Sequence, residues 1–259
     1  MLLVFDIGNT HIKLGLYDQT ALRAFWRIAT DRHRLADEYA VTVHSLFESR
    51  DLDWSSVDGV ALASSVPPLV AVFVELSRSY LSCEPVVVGP GIKTGVRLAI
   101  DNPREVGPDR VANALAAFRL HGGPAIVVDF GTGLNFDVVS AEGEFLGGSI
   151  APGFGIAADA LFSYAARLVQ VEFVRPPRAI GKNTVHAVQS GLIFGYVGLV
   201  EGIVRRIEEE LGRDAVVIAT GGLAEVIAQE TTMIDVIEPN LTLEGLRMVY
   251  WLNQPPADA

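Results

Sequence analysis

The sequence predicts an α/β protein built from a duplicated unit, three strands followed by helices and further strands. Three observations carry this reading. Residues 2–5 and 125–128 are continuous apolar runs, the pattern of strands buried on both faces. Each run ends in an aspartate, an apolar residue, a glycine and a small polar residue: Asp6-Ile7-Gly8-Asn9 and Asp129-Phe130-Gly131-Thr132. Asp129 and Gly131 also lie 123 residues beyond Asp6 and Gly8, so the two stretches are expected to superpose without gaps, with flanking strands and turns in the same order.

In the first half, the chain turns at Gly8-Asn9-Thr10 and then alternates. Ile12, Leu14 and Leu16 fall on one face and His11, Lys13 and Tyr17 on the other, which predicts a hairpin. Residues 24–28 add a third strand. Residues 34–50 carry Tyr39, Val43, Leu46 and Phe47 at helical spacing. A strand over 57–66 ends at Ser64-Ser65-Val66-Pro67-Pro68, where prolines suit a helix start. A helix over 69–81, a short strand over 85–88 and a loop over 89–104 follow. Gly107-Pro108-Asp109-Arg110 then leads into a helix over 111–120, closed by His121-Gly122-Gly123.

In the second half, strands are expected over 125–128, 136–139 and 145–150, then a helix over 156–166. Thr184 can cap a long helix over 184–211. Gly191, Gly195, Gly198 and Gly202 share one face of it, which predicts close packing there. A strand over 215–219 runs into Thr220-Gly221-Gly222 and a helix over 223–228. A strand over 234–237, a helix over 243–251 and a polar tail over 253–259 complete the chain.

Composition narrows the function. The net charge of −11, with no run of lysine and arginine, argues against a nucleic-acid partner. An anionic ligand would need local cations, for which Lys13, Arg104 and Arg110 are candidates. The single cysteine, Cys83, excludes an internal disulfide and fits a reducing cytoplasm. The first apolar run is cut at Asp6, so no signal peptide is expected, and no segment is expected to span a membrane. No Gly-x4-Gly-Lys-Ser/Thr loop occurs, which excludes a P-loop kinase.

The turns point to phosphate chemistry. Gly8 lets the backbone approach a ligand, turn amides can cradle phosphate oxygens, and a carboxylate such as Asp6 can hold magnesium beside them. An ordinary hairpin whose Asp and Asn shape the turn accounts for the same residues. The turn at Thr220-Gly221-Gly222 exposes amides where an adenosine or ribose can lie, and a plain strand-to-helix connection explains it equally.

With DIGNTHIK, DFGTG and TGGL on one scaffold, the chain resembles the actin-like ATPase and sugar-kinase superfamily, in which two RNase H-like halves close over ATP. DIGNTHIKLGLYD, SSVPP, DNPREVGPDR, VVDFGTGLNFD, GGSIAPG and ATGGLA stand in the order seen in type III pantothenate kinases, over nearly the whole chain. The resemblance implies an α/β fold of two tandem RNase H-like domains, residues 1–118 and 119–259, each a mixed β-sheet flanked by helices. It implies ATP-dependent phosphorylation of pantothenate to 4'-phosphopantothenate, the first step of coenzyme A biosynthesis. By position it assigns Asp6, Ile7, Gly8, Asn9, Thr10, His11, Ile12 and Lys13 to the ATP phosphates, with Asp6 on Mg2+. Gly107, Pro108, Asp109 and Arg110 would line the pantothenate site, with Asp109 as the base. Asp129 would hold a potassium or ammonium ion, Thr132 would touch ATP and Thr184 the acceptor. A helix of the second half would form a homodimer.

Plainer roles compete with these. Asp109 can be the N-cap of a helix beginning at Arg110, Arg110 a surface residue, Asp129 a structural acid and Thr184 a helix cap. Ile100, Pro108 and Asn135 depart from the family pattern, where a tyrosine, a small residue and a hydroxyl residue are usual. Another small-molecule kinase of the same fold, or a nucleotide-binding regulator without turnover, are the alternative functions.

Overall fold

The computed structural model describes residues 1–165 and 170–255. It divides into two compact units. The first comprises Met1–Arg97, Asp101–Ala116 and the stretch from Leu241 onward; the second comprises Leu98–Ile100 and Ala117–Asn240. The expected boundary at 118/119 falls inside a helix and close to the observed one. What differs is the last helix, which belongs with the first unit.

The first unit carries β1 (Leu2–Ile7), β2 (His11–Asp18), β3 (Ala21–Ala29), β4 (Gly59–Ser64) and β5 (Val86–Val87), in the sheet order β3-β2-β1-β4-β5. β2 runs antiparallel to β1 and β3, while β4 runs parallel to β1. Alternation along β1 explains its unbroken apolar sequence, because side chains on a strand point to opposite faces in turn. Leu3, Phe5 and Ile7 join α1 (Ala36–Glu48) and α2 (Pro67–Leu81) in one core, through Tyr39, Val43, Phe47, Leu69 and Phe73. Leu2 and Val4 face a second core with Leu243, Leu246 and Val249 of α7 (Leu241–Leu252) and Ala112 and Leu115 of α3 (Pro108–His121). Prolines 67 and 68 sit in the first turn of α2, where their missing N–H groups cost nothing.

The second unit's sheet has the order β11-β10-β7-β8-β9-β6. Its strands are β6 (Arg97–Leu98), β7 (Ala125–Phe130), β8 (Gly133–Val139), β9 (Glu144–Pro152), β10 (Val216–Gly221) and β11 (Val236–Ile237). Apart from β6 it repeats the first sheet, with β7, β8, β9 and β10 in the places of β1, β2, β3 and β4 and the same strand directions. β6 lies within the stretch expected to be loop. A two-residue strand leaves no periodicity to read. α4 (Phe154–Tyr164), α5 (Thr184–Leu211) and α6 (Ala224–Ala228) pack on this sheet through Phe154, Ala158, Ile193, Val200, Val204 and Ile227. Ala166, placed at the end of α4 from sequence, and the last part of the expected tail lie outside the described residues.

The expected gap-free superposition of the two hairpins needs correction. Asp6 pairs across the hairpin with Lys13, seven residues on, but Asp129 pairs with Asn135, six residues on. The second connection is one residue shorter, so Asn135, and not Phe136, is the counterpart of Lys13.

By length and composition alone α5 could cross a membrane, a test that buried core helices also pass. Val188, Ile193, Tyr196, Val200 and Val204 are instead buried in the unit's core. The close packing expected on its glycine face is not seen among the described residues: a Cβ on Gly191, Gly195 or Gly198 would meet nothing within 4 Å, and only the Arg206 side chain of the same helix lies beside Gly202.

Candidate active site

In the first unit, β1 delivers Asp6 to the point where the strand ends. The side chain is only 12% exposed, and Lys13 Nζ lies 3.4 Å from Asp6 Oδ2. This ion pair follows from the hairpin register, which sets residues 6 and 13 opposite each other. The turn closes through the Gly8 amide, which donates to the His11 carbonyl at 3.0 Å. Asn9, Thr10 and His11 are exposed, while Ile7 and Ile12 are buried and serve the core. Partial desolvation by its neighbours, with the nearby charges of Arg27 and Lys13, holds the His11 pKa below its ordinary value.

Ser65 links this turn to Asp109. Its amide donates to the Ile7 carbonyl at 2.9 Å, and its hydroxyl donates to Asp109 Oδ2 at 3.2 Å. The carboxylate is thereby tied, through one residue, to the end of β1. Sequence reading treated Ser65 only as part of a turn before a helix. A hydrogen bond across 44 residues leaves no local signal.

Asp109 is not an N-cap. α3 begins at Pro108, so Asp109 sits in the first turn and Arg110 after it, both partly buried. A proline fits that first position. Gly107 has a steric reason: a Cβ there would collide with Asp109 Oδ1, so any side chain would displace the carboxylate. Arg104, a candidate cation, is exposed on a short 3-10 helix, Pro103–Glu105.

In the second unit, Asp129 stands near the end of β7 and is partly buried, and Thr132 is exposed in the turn after it. Two glycines press against that turn. A Cβ at Gly153 would strike the Thr132 and Gly131 carbonyls, and one at Gly221, whose φ is +93°, would strike Phe130. The Gly153 amide donates to the Thr132 carbonyl at 3.2 Å, and the Gly222 amide to the Phe130 carbonyl at 3.2 Å. The Gly-Gly turn after β10 therefore sits beside the Gly131-Thr132 turn. Ile100, one of the three departures, packs alongside Gly147 of β9.

Thr184 is not the cap of α5. Asn183 is, its side chain accepting from the His186 amide at 2.8 Å. Thr184 is the first helical residue, exposed on a groove of about 710 Å³ that Leu161, Lys182, Asn183 and Val188 also line. The groove was not foreseen, because its walls come from α4 and from α5 with the segment before it.

No group of three or more metal-binding side chains occurs among the described residues. Magnesium keeps several waters and takes one or two carboxylates besides phosphates, so a single strand-end carboxylate such as Asp6 could hold it only with a phosphate ligand in place. Residues 2–206 match the model of the type III pantothenate kinase family.

The chain belongs to that family. The type III pantothenate kinase of Roseiflexus sp. (strain RS-1) is 56% identical over 254 residues, 98% of this chain and 100% of that protein. The enzyme of Moorella thermoacetica (strain ATCC 39073 / JCM 9320) is 53% identical over 253 residues, with the same coverage. As a type III pantothenate kinase, the chain is an ATP-dependent kinase of coenzyme A biosynthesis that phosphorylates pantothenate. Solved structures share its fold at low identity. The inorganic polyphosphate/ATP-glucomannokinase of Arthrobacter sp. strain KM has a TM-score of 0.53 at 16% identity, covering 98% of this chain and 99% of that one. A Campylobacter jejuni protein described as a Baf family transcriptional activator has a TM-score of 0.62 at 17% identity, covering 97% and 98%. These two likenesses speak for the fold alone, that of actin-like ATPases and sugar kinases.

Proposed function

We propose a division of labour for the phosphorylation of pantothenate. Asp109 accepts the proton of the acceptor hydroxyl. The turn from Asp6 to Lys13, with Thr132, holds the ATP phosphates and their magnesium. Gly107, Pro108, Arg110 and Thr184 hold pantothenate. The observation that carries this reading is the hydrogen-bonded link Ile7–Ser65–Asp109, which sets a carboxylate beside the turn. Phosphoryl transfer asks for positioning and charge neutralisation, and for a group that takes the hydroxyl proton. Bound magnesium would neutralise charge on the β- and γ-phosphate oxygens. Lys13 supplies a fixed cation in a protein of net charge −11. Arg110 suits the carboxylate of pantothenate, since a guanidinium grips a carboxylate with two parallel bonds.

Asp129 is proposed to hold the potassium or ammonium ion that the family resemblance implies. Its neighbour across the hairpin is the neutral Asn135, where the first hairpin has Lys13. The glycine face of α5 is proposed as the homodimer contact, because it is exposed, apolar and open to close approach. The reading has no membrane or nucleic-acid partner and places the enzyme in the cytoplasm, where a single buried thiol stays reduced.

Steady-state ADP release with pantothenate, glucose, glycerol or acetate tests the acceptor. Pantothenate alone should sustain turnover. Phosphorylation of a sugar and not of pantothenate would overturn the assignment of Arg110. Sedimentation of Gly195→Arg beside the wild-type chain tests the contact face, with a dimer expected only for the latter.

A further inference from the structure

The segment after β3 returns over the first hairpin turn. The Thr30 amide donates to the Thr10 carbonyl at 3.1 Å, and the Thr30 hydroxyl donates to the Gly8 carbonyl at 2.7 Å. The Asp31 amide donates to the Tyr39 hydroxyl at 3.0 Å, and that hydroxyl donates to the Asp31 carbonyl at 2.8 Å. Tyr39 is fully buried, so the segment is anchored in the core. The His33 amide closes it on Asp31 Oδ1 at 2.9 Å.

Held in this way, Arg32 donates from Nη2 to Asn9 Oδ1 at 2.7 Å. Other arginines of the chain bond to carboxylates: Arg23 to Asp18, Arg78 to Glu84, Arg175 to Glu230, Arg205 to Glu201 and Arg247 to Glu244. Arg32 bonds instead to a neutral amide on the turn itself. A guanidinium only donates, so it selects the carbonyl oxygen of Asn9 and turns the Asn9 NH2 group the other way. An exposed asparagine without such a partner would sample both orientations.

We infer that Arg32 is a positioning residue for the nucleotide phosphates, acting by fixing the Asn9 amide with its two N–H donors toward the ligand side of the turn. This rests on the reading of that turn as the phosphate site. A hydrogen bond to a charged group is worth enough to shift binding about tenfold or more.

The test is a double-mutant cycle on the full chain. MgATP affinity is measured by equilibrium dialysis without pantothenate, together with steady-state constants and thermal unfolding. Arg32→Ala should weaken MgATP binding and raise KM for ATP about tenfold, with kcat, KM for pantothenate and the unfolding temperature unchanged. Arg32→Lys, which keeps a donor and the charge, should recover part of the loss. In an Asn9→Ala background, Arg32→Ala should cost no more than about threefold, because the group it positions is gone. Unchanged ATP affinity in Arg32→Ala would overturn the inference, and so would a full tenfold loss in the Asn9→Ala background. Wild-type chain that binds MgATP but does not phosphorylate pantothenate would break the acceptor reading, and the dialysis cycle would still decide the role of Arg32.

Discussion

In the first hairpin Asp6 stands across from Lys13; in the second Asp129 stands across from Asn135. The scaffolds around them repeat strand for strand, with the same order and the same directions. Each turn closes in the same way, the Gly8 amide on the His11 carbonyl and the Gly131 amide on the Gly133 carbonyl. What changed is one residue of length and one charge. Shortening the connection by a residue moves a neutral amide into the place that a cation holds in the first unit. The repeat thus keeps the backbone device and changes the charge of the residue across the hairpin, on which the proposed difference in ligand rests.

The largest effect should come from Asp109, the acid that Ser65 ties to the first hairpin. Asp109→Asn should lower kcat by about 10²–10⁴-fold, the usual cost of losing a general base, and leave MgATP binding and the unfolding temperature unchanged. Near-normal turnover would reduce Asp109 to a residue of the first turn of α3. Next, the two positions across the hairpins should differ in what they hold. Lys13→Met should raise KM for ATP by about tenfold or more, from loss of a charge-assisted bond, whereas Asn135→Met should change it by less than about threefold. Equal losses would erase the distinction.

A third variant makes the second hairpin imitate the first. In Asn135→Lys, the ammonium should stand in for the proposed monovalent ion, so rates in sodium and potassium buffers should become equal, whereas the wild-type chain should be faster in potassium. The smallest effect concerns His11. Its folded pKa lies below the ordinary 6.5, so the unfolded chain takes up the proton first. The stability it contributes is complete above about pH 6.5 and is lost as pH falls from there toward the folded value. His11→Asn should flatten this part of a stability-against-pH curve measured by urea unfolding, by a small amount because the ring is exposed.

Strands buried on both faces were legible because residues 2–5 of β1 and 125–128 of β7 are all buried, so each run is unbroken up to the aspartate that ends it. The length of a hairpin connection was not. A one-residue difference between two similar turns appears only when strands pair. α7 showed the same limit at longer range. Leu243, Leu246 and Val249 declare an apolar face, but nothing in their spacing says which sheet will receive it. In the proposed site, Asp6, Asp109 and Asp129 stood out through their turns and motifs. Ser65 and Arg32 were not, since each acts through a partner distant in sequence, Asp109 and Asn9. The cap of α5 went to Asn183 and not to its neighbour Thr184 because both side chains can accept a bond there, and only the backbone of residue 183 is extended.

The allegiance of α7 has a consequence for how the protein is made. Chains emerge from the ribosome N-terminus first, and domains generally fold as units in that order. Here Leu2, Val4, Ala61 and Ala63 are synthesised early, yet α7, which helps to cover them, follows the second unit in the chain. The first sheet can acquire α1 and α2 on one side, while its other side has only α3 to cover it through the translation of the second unit. A ribosome stalled after residue 240 should therefore display a nascent chain that recruits chaperones, and release of another dozen residues should end that dependence.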